Sequence, residues 1–120
     1  MALQLNEIVI DCEDHNTVVA FWLAAFGGYR RIDVNEQYVA IAPDEPAIGR
    51  PAILFQKVPE PKVVKNRVHL DLRAESMRDE VERLMGLGAT LIAERSLGEN
   101  LRWTVMADPE GNEFCVSGEG

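Results

Sequence analysis

Two residues of a kind that moves protons stand at matching places in this sequence. Glu7 opens the stretch EIVIDCED, and His69 opens HLDLRAES. A histidine titrates near neutral pH, and a neighbouring carboxylate can orient its ring, so such a pair suits general acid–base work. The plainer alternatives are a polar cavity-wall residue for His69 and a solvated strand charge for Glu7. Cys115 adds a thiol. It is a nucleophile if His69 activates it, but a free cysteine more often packs as a small hydrophobe. Gln56 offers hydrogen bonds to a ligand, and Tyr38 and Trp103 offer flat faces on which one could stack. Trp22 and Phe26 are assigned to the core, and His15 to the surface.

These residues need elements to hold them. EIVIDCED and HLDLRAES both alternate with period two, so that Ile8 matches Leu70, Ile10 matches Leu72 and Cys12 matches Ala74. This is the pattern of a half-buried strand, here expected to begin at Arg67 and end at Arg73 in the second stretch. Its phase puts His69, Asp71 and Arg73 on one face and Leu70 and Leu72 on the other. Each strand runs into an N-cap, Asp14 or Ser76, whose side-chain oxygen can accept a free N–H of the coming helix. Val19, Trp22 and Leu23 then match Val81, Leu84 and Met85, three and four residues apart on one apolar helix face. Both helices end at glycines, in FGG and GLG.

Three further strands are predicted in each half: 29–33, 37–42 and 52–58, then 90–95, 102–107 and 113–117. Turn-forming stretches such as APDEPAIGRP and DPEGNE separate them. The chain therefore reads as one α+β domain, residues 1–120. It consists of a βαβββ module (1–58), a proline- and lysine-bearing linker (59–66) and a second βαβββ module (67–120). A module of this size covers one sheet face with its helix and leaves the other bare. Placed edge to edge, two modules make a larger curved mixed sheet, with the helices outside and a concave inner face suited to a ligand.

Composition excludes several functions. The formal charge is −8, with 47% hydrophobic and 27% charged residues. That field repels nucleic acid. It mildly favours a cationic ligand, although keeping the protein soluble is the plainer role. No apolar run reaches the length of a membrane span, and the first residues lack a secretory pattern. Two cysteines are too few for a disulfide framework and fit a reduced, cytoplasmic setting.

Several stretches carry a family resemblance: EIVIDCED with AFWLAAFGGYR, LFQKVPEPK, NRVHLDLRAES, GLGAT and, above all, WTVMADPEGNEFCV. With these the chain resembles the vicinal oxygen chelate superfamily, the glyoxalase and bleomycin-resistance group, and its glyoxalase-like branch in particular. The resemblance implies a small-molecule ligand in the concave cavity, lyase- or isomerase-type chemistry on a carbonyl compound, and a homodimer. The alternative it implies is a non-catalytic binding or resistance protein of the antibiotic-sequestering kind. An extradiol dioxygenase is disfavoured, because only one strand histidine is present.

Metal-dependent members hold a divalent ion with four inward side chains. The matching positions here are Glu7, His69 and Cys115, with Leu54 or Gln56 as the fourth. Leu54 cannot ligate and Cys115 is soft, so the set fits zinc better than a hard ion, and no tightly held metal is expected. His69 and Glu7 are the expected catalytic pair, and Gln56, Cys115, Trp103, Tyr38, Asp71 and Leu54 the expected ligand-binding set.

Overall fold

The computed structural model describes residues 2–120. The chain divides into two compact units, one running through Pro61 and the other from Lys62 to Gly120. The architecture is α+β, with the element order βαβββ twice over.

The first unit contains β1 (Ile8–Cys12), α1 (His15–Phe26), β2 (Tyr29–Asp33), β3 (Tyr38–Pro43) and β4 (Ile53–Lys57). Its sheet has the order β1-β4-β3-β2. β1 lies parallel to β4, and the remaining pairs are antiparallel. Asp14 caps α1 by accepting from the Asn16 N–H. Alternation then sorts each strand between two environments. Val39, Ile41, Ile53 and Phe55 are buried together with Val18, Val19, Phe21 and Trp22 of α1. Phe26 joins this core by stacking between Trp22 and Tyr29, with ring centroids 5.4 and 5.0 Å away.

His15 is more than a surface residue. It is half-buried, and its Nε2 lies 3.0 Å from the Gln37 carbonyl and 3.1 Å from the Phe55 carbonyl. Two acceptors facing one ring nitrogen require the proton to sit there. The ring thus ties the start of α1 to β4 and to the turn before β3.

The second unit repeats the plan with β5 (Leu70–Ser76), α2 (Met77–Leu87), β6 (Thr90–Leu97), β7 (Leu101–Ala107) and β8 (Glu113–Glu119), in the sheet order β5-β8-β7-β6. Ser76 caps α2 through the Asp79 N–H, and Gly88 ends it in a left-handed turn. Met77, Val81 and Leu84 of α2 are buried, as are Thr104, Met106, Phe114 and Val116 of the sheet. Met85, expected on this apolar face, is 47% exposed. The 77, 81, 84 spacing already fills one helical stripe, and position 85 falls beside it.

The expected strand over 67–73 is displaced. β5 starts at Leu70, and residues 67 and 68 form a bend. Side-chain bonds replace ladder bonds just before it. Asn66 donates its N–H to Glu113 Oε1 at 2.8 Å, and Asn66 Oδ1 accepts the Glu113 N–H at 3.0 Å. Lys62 Nζ completes this joint on Glu113 Oε2 at 2.6 Å. The joint clamps the entering chain to the start of β8 and fixes where β5 begins.

Candidate functional site

The face of the second sheet opposite α2 is built by strand alternation. Trp103 and Val105 of β7 alternate with the buried Thr104 and Met106, and Cys115 and Ser117 of β8 flank the buried Val116. Register aligns them in rows: Asp71, Cys115, Val105 and Ala93 form one, and Arg73, Ser117, Trp103 and Arg95 the next. Above them lies a cavity of about 690 Å³. Its polar lining includes Lys65, His69, Asp71, Arg95 and Arg102, and its apolar lining Ile92, Leu101, Trp103 and Val105.

His69, Asp71 and Cys115 form its polar pole. His69 Nε2 lies 3.6 Å from Asp71 Oδ1, within ion-pair reach but too long for a hydrogen bond. Both side chains reach solvent, at 41% and 81% exposure, so their coupling is screened. Cys115 is only 5% exposed. Burial pushes its thiol pKa up. The Asp71 carboxylate adds to this through its charge and by accepting the thiol's hydrogen bond, while the Lys65 charge opposes it. A thiol held protonated is a poor nucleophile, so its surroundings favour the space-filling reading of Cys115.

One imidazole nitrogen, one carboxylate oxygen and one sulfur, all within 4.8 Å of one another, also make a donor set. Zinc accepts such a trio and leaves a fourth position open, whereas magnesium or calcium would want oxygen alone. The residues therefore fit a borderline divalent ion, with Asp71 as a donor that the sequence pattern did not suggest.

The remaining expected site residues lie in the first unit. Tyr38 faces Gln56 across the β3–β4 ladder, and Ala40 faces Leu54. Gln56 and Leu54 also pair with Asp11 and Val9 of β1. All belong to the face opposite Val39 and Phe55, and Tyr38, Leu54 and Gln56 are half-buried. Glu7 is half-buried and directly precedes β1. The second unit thus brings together His69, Asp71, Cys115 and Trp103 of the expected set.

Lys65, Arg95 and Arg102 were missed as cavity residues. A bulge between Leu91 and Ala93 resets the phase of β6, so alternation counted from Thr90 misplaces Arg95. Arg102 shares the phase of the buried Thr104 and reaches the cavity only because it stands at the start of β7.

Comparison with known proteins agrees with this plan. No curated protein sequence matches closely enough to serve as a relative. A glyoxalase/bleomycin resistance protein/dioxygenase family enzyme from Burkholderia phytofirmans superposes with a TM-score of 0.73 at 21% identity, covering 95% of this chain and 97% of that one. A variant of the fosfomycin resistance protein FosX from Listeria monocytogenes, complexed with Mn(II) and 1S,2S-dihydroxypropylphosphonic acid, gives 0.77 at 19%, covering 100% and 93%. FosX from Mesorhizobium loti gives 0.73 at 14%, covering 100% and 95%. At these identities the likeness establishes the fold. The sequence model of the glyoxalase-like domain matches residues 7–117, nearly the whole repeat, and the chain belongs to that family.

Proposed function

We propose that this protein takes a small organic molecule on the helix-free face of its second sheet and performs lyase- or isomerase-type chemistry on a carbonyl group there. The observation that carries this is the His69–Asp71 pair, at 3.6 Å, in a cavity with an apolar floor. A histidine beside a carboxylate can take a proton from carbon next to a carbonyl and return it to another atom. Trp103, Val105 and Leu101 hold the substrate body and displace water. Asp71, within ion-pair reach, offsets part of the charge that His69 gains.

Glu7, on its sequence position, is proposed as a second catalytic carboxylate, and Tyr38, Gln56 and Leu54 as further ligand contacts. With a divalent ion bound, His69, Asp71 and Cys115 would be its ligands, and the ion would polarise the carbonyl oxygen in place of base catalysis by His69.

Binding without chemistry is the second reading. It is supported by Leu54, which supplies no donor where the family resemblance implies a ligand, and by the protonated Cys115 thiol. Deuterium uptake from heavy water beside the carbonyl of hydroxyacetone separates the two. An enzyme accelerates it over buffer, and His69→Ala removes the gain. A protein that binds the compound without accelerating exchange is a binder.

The proposal includes a homodimer, because the edge strand β6 exposes Leu91 and Leu97. Sedimentation at micromolar concentration tests this, and a clean monomer counts against it. A cytoplasmic setting is proposed from the two buried cysteines, neither of them in a disulfide. No helix among the described residues is long and apolar enough to cross a membrane.

A further inference from the structure

The charge of the cavity runs against the charge of the chain. The protein carries a formal −8, yet Lys65, Arg95 and Arg102 line the cavity against only Asp71 and Glu113 among carboxylates. Glu113 is already neutralised by Lys62 at 2.6 Å. Among the described residues, none of the three lining cations is in an ion pair with a carboxylate. An acidic protein that gathers unpaired cations around an apolar floor has a local field opposite to its overall one.

The two poles are also separated. Arg95 lies on edge strand β6, directly across from Trp103, and Asp71 lies on the opposite edge strand β5. Three strand spacings put these edges roughly 14 Å apart. An arginine reaching in from one side and His69 from the other leave a gap about one aromatic ring long. Trp103 forms the floor between them.

Resting on the proposed cavity reading, we infer that its ligand is an elongated, flat carboxylate, with the anion held by Arg95 and Arg102 and the reacting carbonyl at the His69–Asp71 pole. Lys65 adds to the attracting field. A guanidinium donates two parallel hydrogen bonds to a carboxylate, and the indole of Trp103 carries the ring. A cationic ligand, which the overall charge mildly favours, meets the wrong sign here.

The test compares 4-acetylbenzoate with its neutral isostere 4-acetylbenzamide by isothermal titration calorimetry at low salt. The benzoate is expected to bind at least tenfold more tightly. The Arg95→Gln/Arg102→Gln double variant, altered only at exposed side chains, should bring the benzoate down to the level of the amide. Added salt should weaken the benzoate alone. Equal binding of the two probes, or a preference that survives the double variant, overturns the inference and leaves the cavity reading intact. If neither probe at about 10 mM, enough to populate a millimolar site, moves the indole resonance assigned through Trp103→Phe, the cavity reading fails and the inference with it.

Discussion

Asp71 and Cys115 face each other across the parallel β5–β8 ladder, which sets the Cys115 sulfur within 4.8 Å of an Asp71 carboxylate oxygen. The contact links the most exposed acid of the polar pole to its most buried thiol. Burial and this carboxylate together hold the thiol protonated above its ordinary value of 9.0.

Asp71→Asn should therefore bring the Cys115 pKa partway down, because burial remains. The expected result is severalfold faster alkylation of Cys115 by iodoacetamide at mildly alkaline pH, read by peptide mass spectrometry. Cys12, buried in the first unit, serves as the internal reference. An unchanged rate would show that burial alone controls the thiol.

Glu113 contributes an acid-sensitive part of the stability. Burial raises its pKa, but hydrogen bonds from Lys62 and Asn66 outweigh that, and the net shift is downward from 4.5. A group with a lowered folded pKa contributes stability above its unfolded value, and loses it as pH falls through the folded one. Denaturant melts should show the wild type losing stability below about pH 4.5, and Glu113→Gln losing less. At neutral pH the variant should be less stable by about 1 kcal/mol.

Gly118 is the most tightly enclosed glycine of the second unit. Its φ is 149°, and an added Cβ would lie 2.1 Å from the Ala74 carbonyl oxygen, beside the register shift between Ala74 and Ser76 in the β5–β8 pairing. Neither backbone can yield cheaply. Gly118→Ala should cost about 3 kcal/mol, whereas Gly98→Ala, with the left-handed φ but open space around it, should cost less. Equilibrium unfolding of the two variants checks the order.

Metal binding should be one ion per chain, reversible and unnecessary for folding. Two of the three donors are exposed, and the cores of both units are hydrophobic. Cobalt(II) titration should raise a near-ultraviolet thiolate band that Cys115→Ser removes and His69→Ala weakens. Chelator should strip the ion without unfolding the chain, as judged by circular dichroism.

Much of the fold was legible because it is written twice. Strand, cap and helix recur at the same spacing, and each signal is local: Asp14 and Ser76 cap, Gly88 terminates, and alternation marks the strands. What escaped was set by contacts distant in sequence. The Asn66–Glu113 joint moves the start of β5, and the Leu91–Ala93 bulge moves Arg95 into the cavity. His15 was misplaced for the same reason, since its acceptors come from the turn before β3 and from β4. In the site, phase alone placed His69, Asp71 and Arg73 on one face. The partnership of Asp71 with Cys115 depends on the β5–β8 register, which no single stretch of sequence reveals.

A crystal structure of the protein grown with 4-acetylbenzoate tests most directly whether the ligand lies on the helix-free face of the second sheet. The ring is expected against Trp103, on the sheet face opposite α2, with the ketone oxygen turned toward His69. Occupancy only elsewhere, with Trp103 and His69 untouched, would contradict this placement.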